Sequence, residues 1–234
     1  MGDIELTGPD GHSFSAYRAD PAGPAVDGVV VIQEIFGVNR HIRSVADRFA
    51  AEGFVAVAPA LFDRVERGVE LEYDMDSAIK GVGIAWEQLP LDDALADATA
   101  ALDALADELG GPGRVGAVGF CFGGMLAAAL ASRAADHLGA AVGYYPSRAA
   151  KLLVDDVGGA PLMLQLGEQD ESITAEDRQT LAERWPEATL HLYAGAGHGF
   201  NCDLRDDGFD PDASALAWGR TIGFLSDRLG PSAP

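Results

Sequence analysis

A cysteine lies at the centre of a glycine-rich stretch, Gly-Phe-Cys-Phe-Gly at residues 119–123. An apolar run at 115–118 precedes it and small residues follow it, which is the pattern of a strand, a sharp turn and a helix. In such a turn the middle side chain is exposed, because the flanking glycines let strand and helix approach closely. The dipole of the helix also favours a thiolate. The pattern predicts Cys121 as a nucleophile, with the backbone N–H of Phe122 donating to an oxyanion. A buried structural cysteine in a tight turn is the alternative.

An aspartate and a histidine follow Cys121 in the chain order that this kind of nucleophile requires. Asp170 comes shortly after a predicted strand at 161–166, and His198 comes after another at 189–193. Ligands of open α/β sheets bind at the carboxyl ends of the strands, so the three side chains are expected to meet there. His198 would take the thiol proton and later activate water, while Asp170 would fix the ring and its tautomer. The other histidines fit this role less well.

A second loop after a buried strand carries a carboxylate. Glu34 lies in Gln-Glu-Ile-Phe-Gly at 33–37, directly after the apolar run 29–32, and is expected near the cysteine. The backbone N–H of Ile35 is the expected second oxyanion donor, because that loop supplies it in folds with this turn. The alternative for Glu34 is a solvated loop residue.

Strand and helix patterns alternate from residue 28 onward. Short apolar runs predict strands at 29–32, 54–58, 115–118, 139–145, 161–166 and 189–193. Apolar residues at helical spacing predict helices at 39–52, 91–109, 125–133, 175–185 and 211–229. Residues 1–25 predict an antiparallel hairpin at the sheet edge. The charged segment 61–90 has no clean period and is interpreted as a lid-like segment.

This alternation predicts one α/β domain over residues 1–234, with a mostly parallel central sheet and helices on both faces. Together with the turn at Cys121, it predicts the α/β-hydrolase fold.

Composition restricts the partners. The chain of 234 residues has 37 acidic and 16 basic residues, a net charge of −21, so phosphate would be repelled and nucleic acid is not expected. The acidity fits either a highly soluble surface or adaptation to high salt. No apolar run reaches the roughly 18 residues of a membrane helix. The N-terminus lacks a secretory signal, so a cytoplasmic protein without a membrane partner is expected.

The sequence contains no clear pattern that indicates a cofactor, a metal ion or a particular oligomeric state. No cofactor motif is present, and the histidines are scattered without metal-ligand spacing, so neither a cofactor nor a metal is expected. A disulfide between the two cysteines is not expected in a cytoplasmic chain. A monomer or a weak homo-oligomer is expected.

Four blocks of sequence together resemble the dienelactone hydrolases (carboxymethylenebutenolidases). They lie at 31–39, 119–124, 167–170 and 196–200, and the likeness spans nearly the whole chain. The resemblance implies a small lactone or ester as substrate, with Cys121, Asp170 and His198 as the catalytic triad. Glu34 matches the glutamate that pairs with the nucleophile in that family and helps to deprotonate the thiol when substrate arrives.

The resemblance also implies a substrate pocket. Phe36, Trp86 and Tyr144 match aromatic positions that line the pocket in the family. Gly199 and Cys202 stand where members acting on dienelactone carry a serine and an arginine that hold the substrate carboxylate. Without that charge-assisted clamp, an anionic dienelactone is expected to bind poorly.

Three other arginines, Arg64, Arg67 and Arg205, are candidates to replace the clamp. A further arginine of the family would fall at Ile79. Cys202 is interpreted as a pocket-wall residue, or as a second thiol that oxidises with Cys121 and switches the enzyme off.

Three functions compete at this point. The first is a thiol hydrolase of a small ester or lactone that works through an acyl-enzyme. The second is a non-catalytic protein that binds a small ligand on the same fold, against which the complete triad argues. The third is another reaction that uses the thiol, such as haloalkane or peroxide processing, which fold alone does not exclude.

Overall fold

A single eight-stranded sheet forms the centre of the computed structural model, which describes residues 1–205 and 207–230. The strands are β1 (Gly2–Thr7), β2 (Ser13–Ala19), β3 (Gly28–Ile32), β4 (Val55–Pro59), β5 (Val115–Phe120), β6 (Ala140–Tyr144), β7 (Leu162–Gly167) and β8 (Thr189–Tyr193). Their order is β1-β2-β4-β3-β5-β6-β7-β8. β1 and β2 pair antiparallel with each other, as does β2 with β4, and every pair from β4 through β8 is parallel. The prediction of a hairpin at one edge of a mostly parallel sheet is confirmed.

Seven α-helices lie between or after the strands in the described residues. They are α1 (Arg40–Ala51), α2 (Met75–Gly83), α3 (Leu91–Leu109), α4 (Phe122–Arg133), α5 (Ala149–Leu152), α6 (Ala175–Arg184) and α7 (Pro211–Arg228). Short 3-10 turns lie at Leu61–Arg64, Pro112–Arg114 and Ala135–His137, and a π-turn lies at Ile84–Gln88. None of the described helices is long and apolar enough to cross a membrane.

The helices cover both faces of the sheet, as two glycines of β5 show. A Cβ on Gly116 would meet Leu225 of α7, whereas a Cβ on Gly119 would meet the backbone of α4. Since alternate residues of a strand point to opposite faces, α7 and α4 lie on opposite sides of the sheet. β3, β5 and β6 are buried along their whole length, which explains why their sequences are continuous apolar runs rather than alternating ones.

Two predicted elements differ from the structure. α4 begins at Phe122 rather than at 125, so the helix starts directly after Cys121. The segment 61–90 contains α2 and the π-turn, and it is attached to the loop after β3 by a bridge between Gly37 and Glu70. Periodicity could not find α2, because Gly81 is its one buried residue. The predicted domain limits also include Asp206 and 231–234, which lie outside the described residues.

Candidate active site

Cys121 occupies a strained turn between β5 and α4. Its backbone has φ 54° and ψ −110°, a conformation that costs a non-glycine residue on the order of 1–3 kcal/mol. The turn is held because the N–H of Cys121 donates to the carbonyl of Tyr144 at 3.0 Å. A Cβ on Gly119 would lie 1.9 Å from the carbonyl oxygen of Gly123, and a Cβ on Gly123 would lie 2.3 Å from the backbone of β3. The two glycines therefore allow the close approach that presents the thiol at the edge of the sheet.

The predicted histidine and aspartate are in contact. Nδ1 of His198 lies 2.8 Å from Oδ2 of Asp170, and the other carboxylate oxygen accepts from the N–H of Ser172, also at 2.8 Å. Asp170 is buried, so these two bonds fix its carboxylate. Burial by itself lowers the pKa of His198, but the negative charge of Cys121 and the hydrogen bond with Asp170 outweigh burial and raise that pKa to about 10. A negative charge on Cys121 would thus favour the imidazolium form of His198.

A hydroxyl that the sequence did not single out also contacts the thiol. Oγ of Ser147 lies 3.3 Å from Sγ of Cys121, and the N–H of Ser147 donates to the Cys121 carbonyl at 3.2 Å. The chain turns sharply on either side of Ser147, at Tyr145 with φ 34° and Arg148 with φ 60°. Its position just after the carboxyl end of β6, the neighbour of β5, was the signal that could have found it.

The two predicted oxyanion donors are free to bind a ligand. Phe122 is the first residue of α4, where backbone N–H groups have no partner within the helix. Ile35 lies in the turn after β3, and within residues 1–205 and 207–230 neither N–H donates to a backbone carbonyl. α2 packs directly on this turn, since a Cβ on Gly81 would lie 2.0 Å from the Ile35 carbonyl oxygen.

Glu34 is buried at 2 % exposure, so its interpretation as a solvated loop residue is wrong. Oε2 of Glu34 accepts a 2.9 Å hydrogen bond from the hydroxyl of Tyr73. No hydrogen bond joins Glu34 to Cys121 in the described part of the chain. Burial and the charge of Glu34 raise the pKa of Tyr73, so its hydroxyl stays protonated and remains a donor.

The fold brings two further side chains to Glu34 that sequence spacing did not connect. A carboxylate oxygen of Glu34, a ring nitrogen of His41 and Sγ of Cys202 lie within 4.8 Å of one another. All three residues are buried, and burial and the charge of Glu34 raise the pKa of Cys202 to about 12. Cys121 and Cys202 are both free thiols. Cys202 thus lies in a buried polar cluster, not on an open pocket wall.

Two of the predicted pocket residues, Phe36 and Trp86, contact other aromatic rings. The ring of Phe36 is 4.5 Å from that of Tyr73, and the ring of Trp86 is 5.1 Å from that of Phe122. The guanidinium of Arg148 lies 4.6 Å above the Trp86 ring. Trp86 and Phe122 line a cavity of about 350 Å³ between the π-turn and α4. Its lining includes Phe122 and Met125 of α4 but none of the three residues of the predicted triad.

Tyr144 does not line the pocket, so that prediction is wrong. Its side chain is fully buried and its hydroxyl hydrogen-bonds Thr221 of α7 at 2.7 Å. Strand alternation turns Tyr144 toward α7. Its neighbour Tyr145 lies beside the triad instead, with its ring 5.1 Å from that of His198.

One of the three candidate arginines reaches the site. Gly199 has φ 76°, and a Cβ there would lie 2.7 Å from Nη1 of Arg205. Arg205 contacts the exposed Asp207 at 3.3 Å. By contrast, Arg64 binds two carboxylates near the hairpin, at 2.6 and 2.8 Å, and Arg67 donates to a carbonyl of β2. A glycine after the histidine therefore leaves room for a guanidinium.

Comparison with known proteins agrees with this geometry. The model of the dienelactone hydrolase family matches residues 14–229. A carboxymethylenebutenolidase of Pseudomonas putida is 32% identical over 228 residues, covering 95% of both chains. Carboxymethylenebutenolidase 1 of Cupriavidus pinatubonensis is 30% identical over 233 residues, covering 98% of both.

Among solved structures, a Klebsiella pneumoniae protein provisionally assigned as a dienelactone hydrolase superposes with a TM-score of 0.81 at 28% identity, covering 96% of this chain and 98% of its own. The predicted fold and the prediction of an ester or lactone hydrolase are confirmed, and the chain belongs to the dienelactone hydrolase family.

Proposed function

We propose that this protein hydrolyses a small lactone or ester through a covalent intermediate on Cys121, with His198 as acid and base and Asp170 as the residue that orients it. The observation that carries the proposal is the 2.8 Å contact between His198 and Asp170 behind a cysteine in a strained turn. A thiol that only packs in the core needs neither the strain nor a paired imidazole.

The first half of the reaction is acylation. The Cys121 thiolate attacks the carbonyl carbon, and the N–H groups of Ile35 and Phe122 stabilise the oxyanion that forms. When the tetrahedral intermediate collapses, the imidazolium of His198 gives its proton to the departing alkoxide. In a lactone the alkoxide remains attached to the acyl group, so the ring opens.

The second half is hydrolysis of the thioester. Acylation removes the negative charge of Cys121, which is the largest influence raising the pKa of His198 to about 10. The pKa of His198 therefore falls after acylation, and the neutral imidazole can take a proton from water. The same residue thus acts as an acid in the first half and as a base in the second.

Glu34 is proposed to assist ionisation of the thiol when substrate arrives. Its carboxylate bonds Tyr73 at 2.9 Å, and the ring of Tyr73 packs on that of Phe36. A substrate that displaces Tyr73 would free the carboxylate to accept the proton of Cys121. A double-mutant cycle between Glu34→Gln and Tyr73→Phe tests this coupling.

Arg205 is proposed to replace the family's carboxylate clamp. Gly199 leaves room for its guanidinium beside His198, and its observed partner, Asp207, is exposed. A substrate carboxylate can compete with an exposed surface carboxylate, because exposed pairs are weak. We infer that lactones bearing a carboxylate are accepted in addition to neutral esters.

We further propose a monomer or weak homo-oligomer with one domain over residues 1–234, located in the cytoplasm. The two free thiols fit a reducing compartment.

The test is turnover of p-nitrophenyl acetate and of small lactones by Cys121→Ala, with Cys202→Ala as the control that removes the other buried thiol. Loss of at least about 10³-fold in kcat is expected for Cys121→Ala, as for removal of a covalent nucleophile. If Cys121→Ala keeps full turnover, Cys121 is not the nucleophile.

A further inference from the structure

We propose that the buried cluster of Glu34, His41 and Cys202 binds a borderline-soft divalent cation, of which Zn²⁺ is the type. One donor atom from each residue lies within 4.8 Å of the other two. Carboxylate, imidazole and thiolate are the three ligand types that zinc takes from proteins. This site lies outside the triad, shares only Glu34 with the proposed reaction, and can be tested by metal binding alone.

The imidazole ring of His41 has one nitrogen in contact with a carboxylate and the other available to bind a cation. Its Nδ1 contacts the carboxylate of Asp203 at 3.2 Å, whereas its Nε2 is buried and has no hydrogen-bond partner among the described residues. A ring that donates from Nδ1 to a carboxylate presents a lone pair on Nε2, which is the usual arrangement around a metal-bound histidine. A buried nitrogen without a partner is costly, so a cation at Nε2 would satisfy it.

The other two ligands are held nearby. Glu34 uses one oxygen for Tyr73 and retains acceptor capacity, and Cys202 is a free thiol at 0 % exposure. Ligands of a tetrahedral zinc ion lie about 3–4 Å apart, so these atoms would close by about 1 Å on binding. Arg205 lies near Cys202, and the carboxylates of Asp207 and Glu34 offset its charge.

Binding releases a proton. The thiol of Cys202 must lose its proton to solvent as the Zn–S bond forms, because only the thiolate is a ligand. Mildly alkaline buffer therefore favours binding.

The experiment uses two proteins that each keep one cysteine, Cys121→Ala and Cys202→Ser. Each is freed of metal, kept reduced, and titrated with Co²⁺ in excess Mg²⁺, which occupies carboxylate sites on the acidic surface. Thiolate-to-cobalt charge-transfer absorption reports a metal–sulfur bond, and Zn²⁺ is then added to displace Co²⁺. Near-ultraviolet circular dichroism checks that each protein is folded.

One equivalent of charge-transfer absorption is expected in Cys121→Ala and none in Cys202→Ser. Adding His41→Gln to Cys121→Ala should weaken Co²⁺ binding by at least about 10²-fold. The proposal is overturned if the absorption follows Cys121 instead of Cys202, if folded Cys121→Ala gives none, or if His41→Gln has no effect.

Discussion

Replacing Cys121 by alanine should lower the pKa of His198, because the charge of Cys121 is the largest influence that raises it. In the intact site that pKa is about 10, against an ordinary value of 6.5. An opposite charge within a few ångströms shifts a pKa by about 1–3. Burial and Asp170 remain unchanged in the variant, so His198 should titrate there at roughly 7 to 9.

The change in the pKa of His198 also measures the free energy of interaction between its imidazolium and Cys121. Each pKa unit corresponds to about 1.4 kcal/mol, so a thiolate at Cys121 stabilises the imidazolium by an energy on the order of 1–4 kcal/mol. Because the pKa of His198 is raised in the folded protein, its contribution to stability is fully present below about pH 6.5 and is lost as the pH rises toward 10. In Cys121→Ala, the contribution of His198 to stability should therefore be lost at a lower pH than in the intact protein.

The assay is an NMR titration of the histidine ring protons, with the His198 signal assigned by its loss in His198→Gln. Cys202→Ala is the matched control, because Cys202 is not among the groups that shift His198. The reasoning is refuted if His198 in Cys121→Ala still titrates near 10, or if Cys202→Ala lowers the pKa as much.

Three further changes test other parts of the account. Asp170→Asn should lower kcat on p-nitrophenyl acetate by about 10⁴-fold, since the amide favours the wrong imidazole tautomer; a loss below tenfold would argue against the triad. Gly119→Ala should lower the free energy of unfolding by at least about 2 kcal/mol in urea, because its Cβ would lie 1.9 Å from a backbone oxygen, whereas Gly223→Ala, with open space around it in α7, should raise it by about 0.5–1 kcal/mol. Arg205→Gln should raise KM for a carboxylate-bearing lactone by about 10- to 100-fold, with a smaller effect on an uncharged ester. Arg67→Gln, which loses a bond to β2, should change neither KM, and equal effects of the two variants would contradict the proposed clamp.

The sequence predicted the sheet and the proximity of Asp170 to His198 because both follow from chain order. Buried strands are continuous apolar runs, and residues just past their carboxyl ends meet at one edge. That rule placed Asp170 against His198 and put Cys121 at the same edge.

Residues that reach the site from elsewhere could not be predicted in this way. His41 belongs to the buried face of α1, and Tyr73 comes from a segment without periodicity, so only tertiary packing brings them to Glu34. Tyr144 was misplaced because its role depends on which face of β6 it occupies, and a fully buried strand shows no alternation in sequence.

The central claim is a covalent intermediate on Cys121, and trapping it is the most direct test. The enzyme is quenched in acid during turnover of p-nitrophenyl acetate, digested, and mapped by mass spectrometry. We predict one acetyl group on the peptide containing Cys121, removable by hydroxylamine as a thioester is. An acetyl group on Ser147 or Cys202, or full turnover without any acylated peptide, would contradict the account.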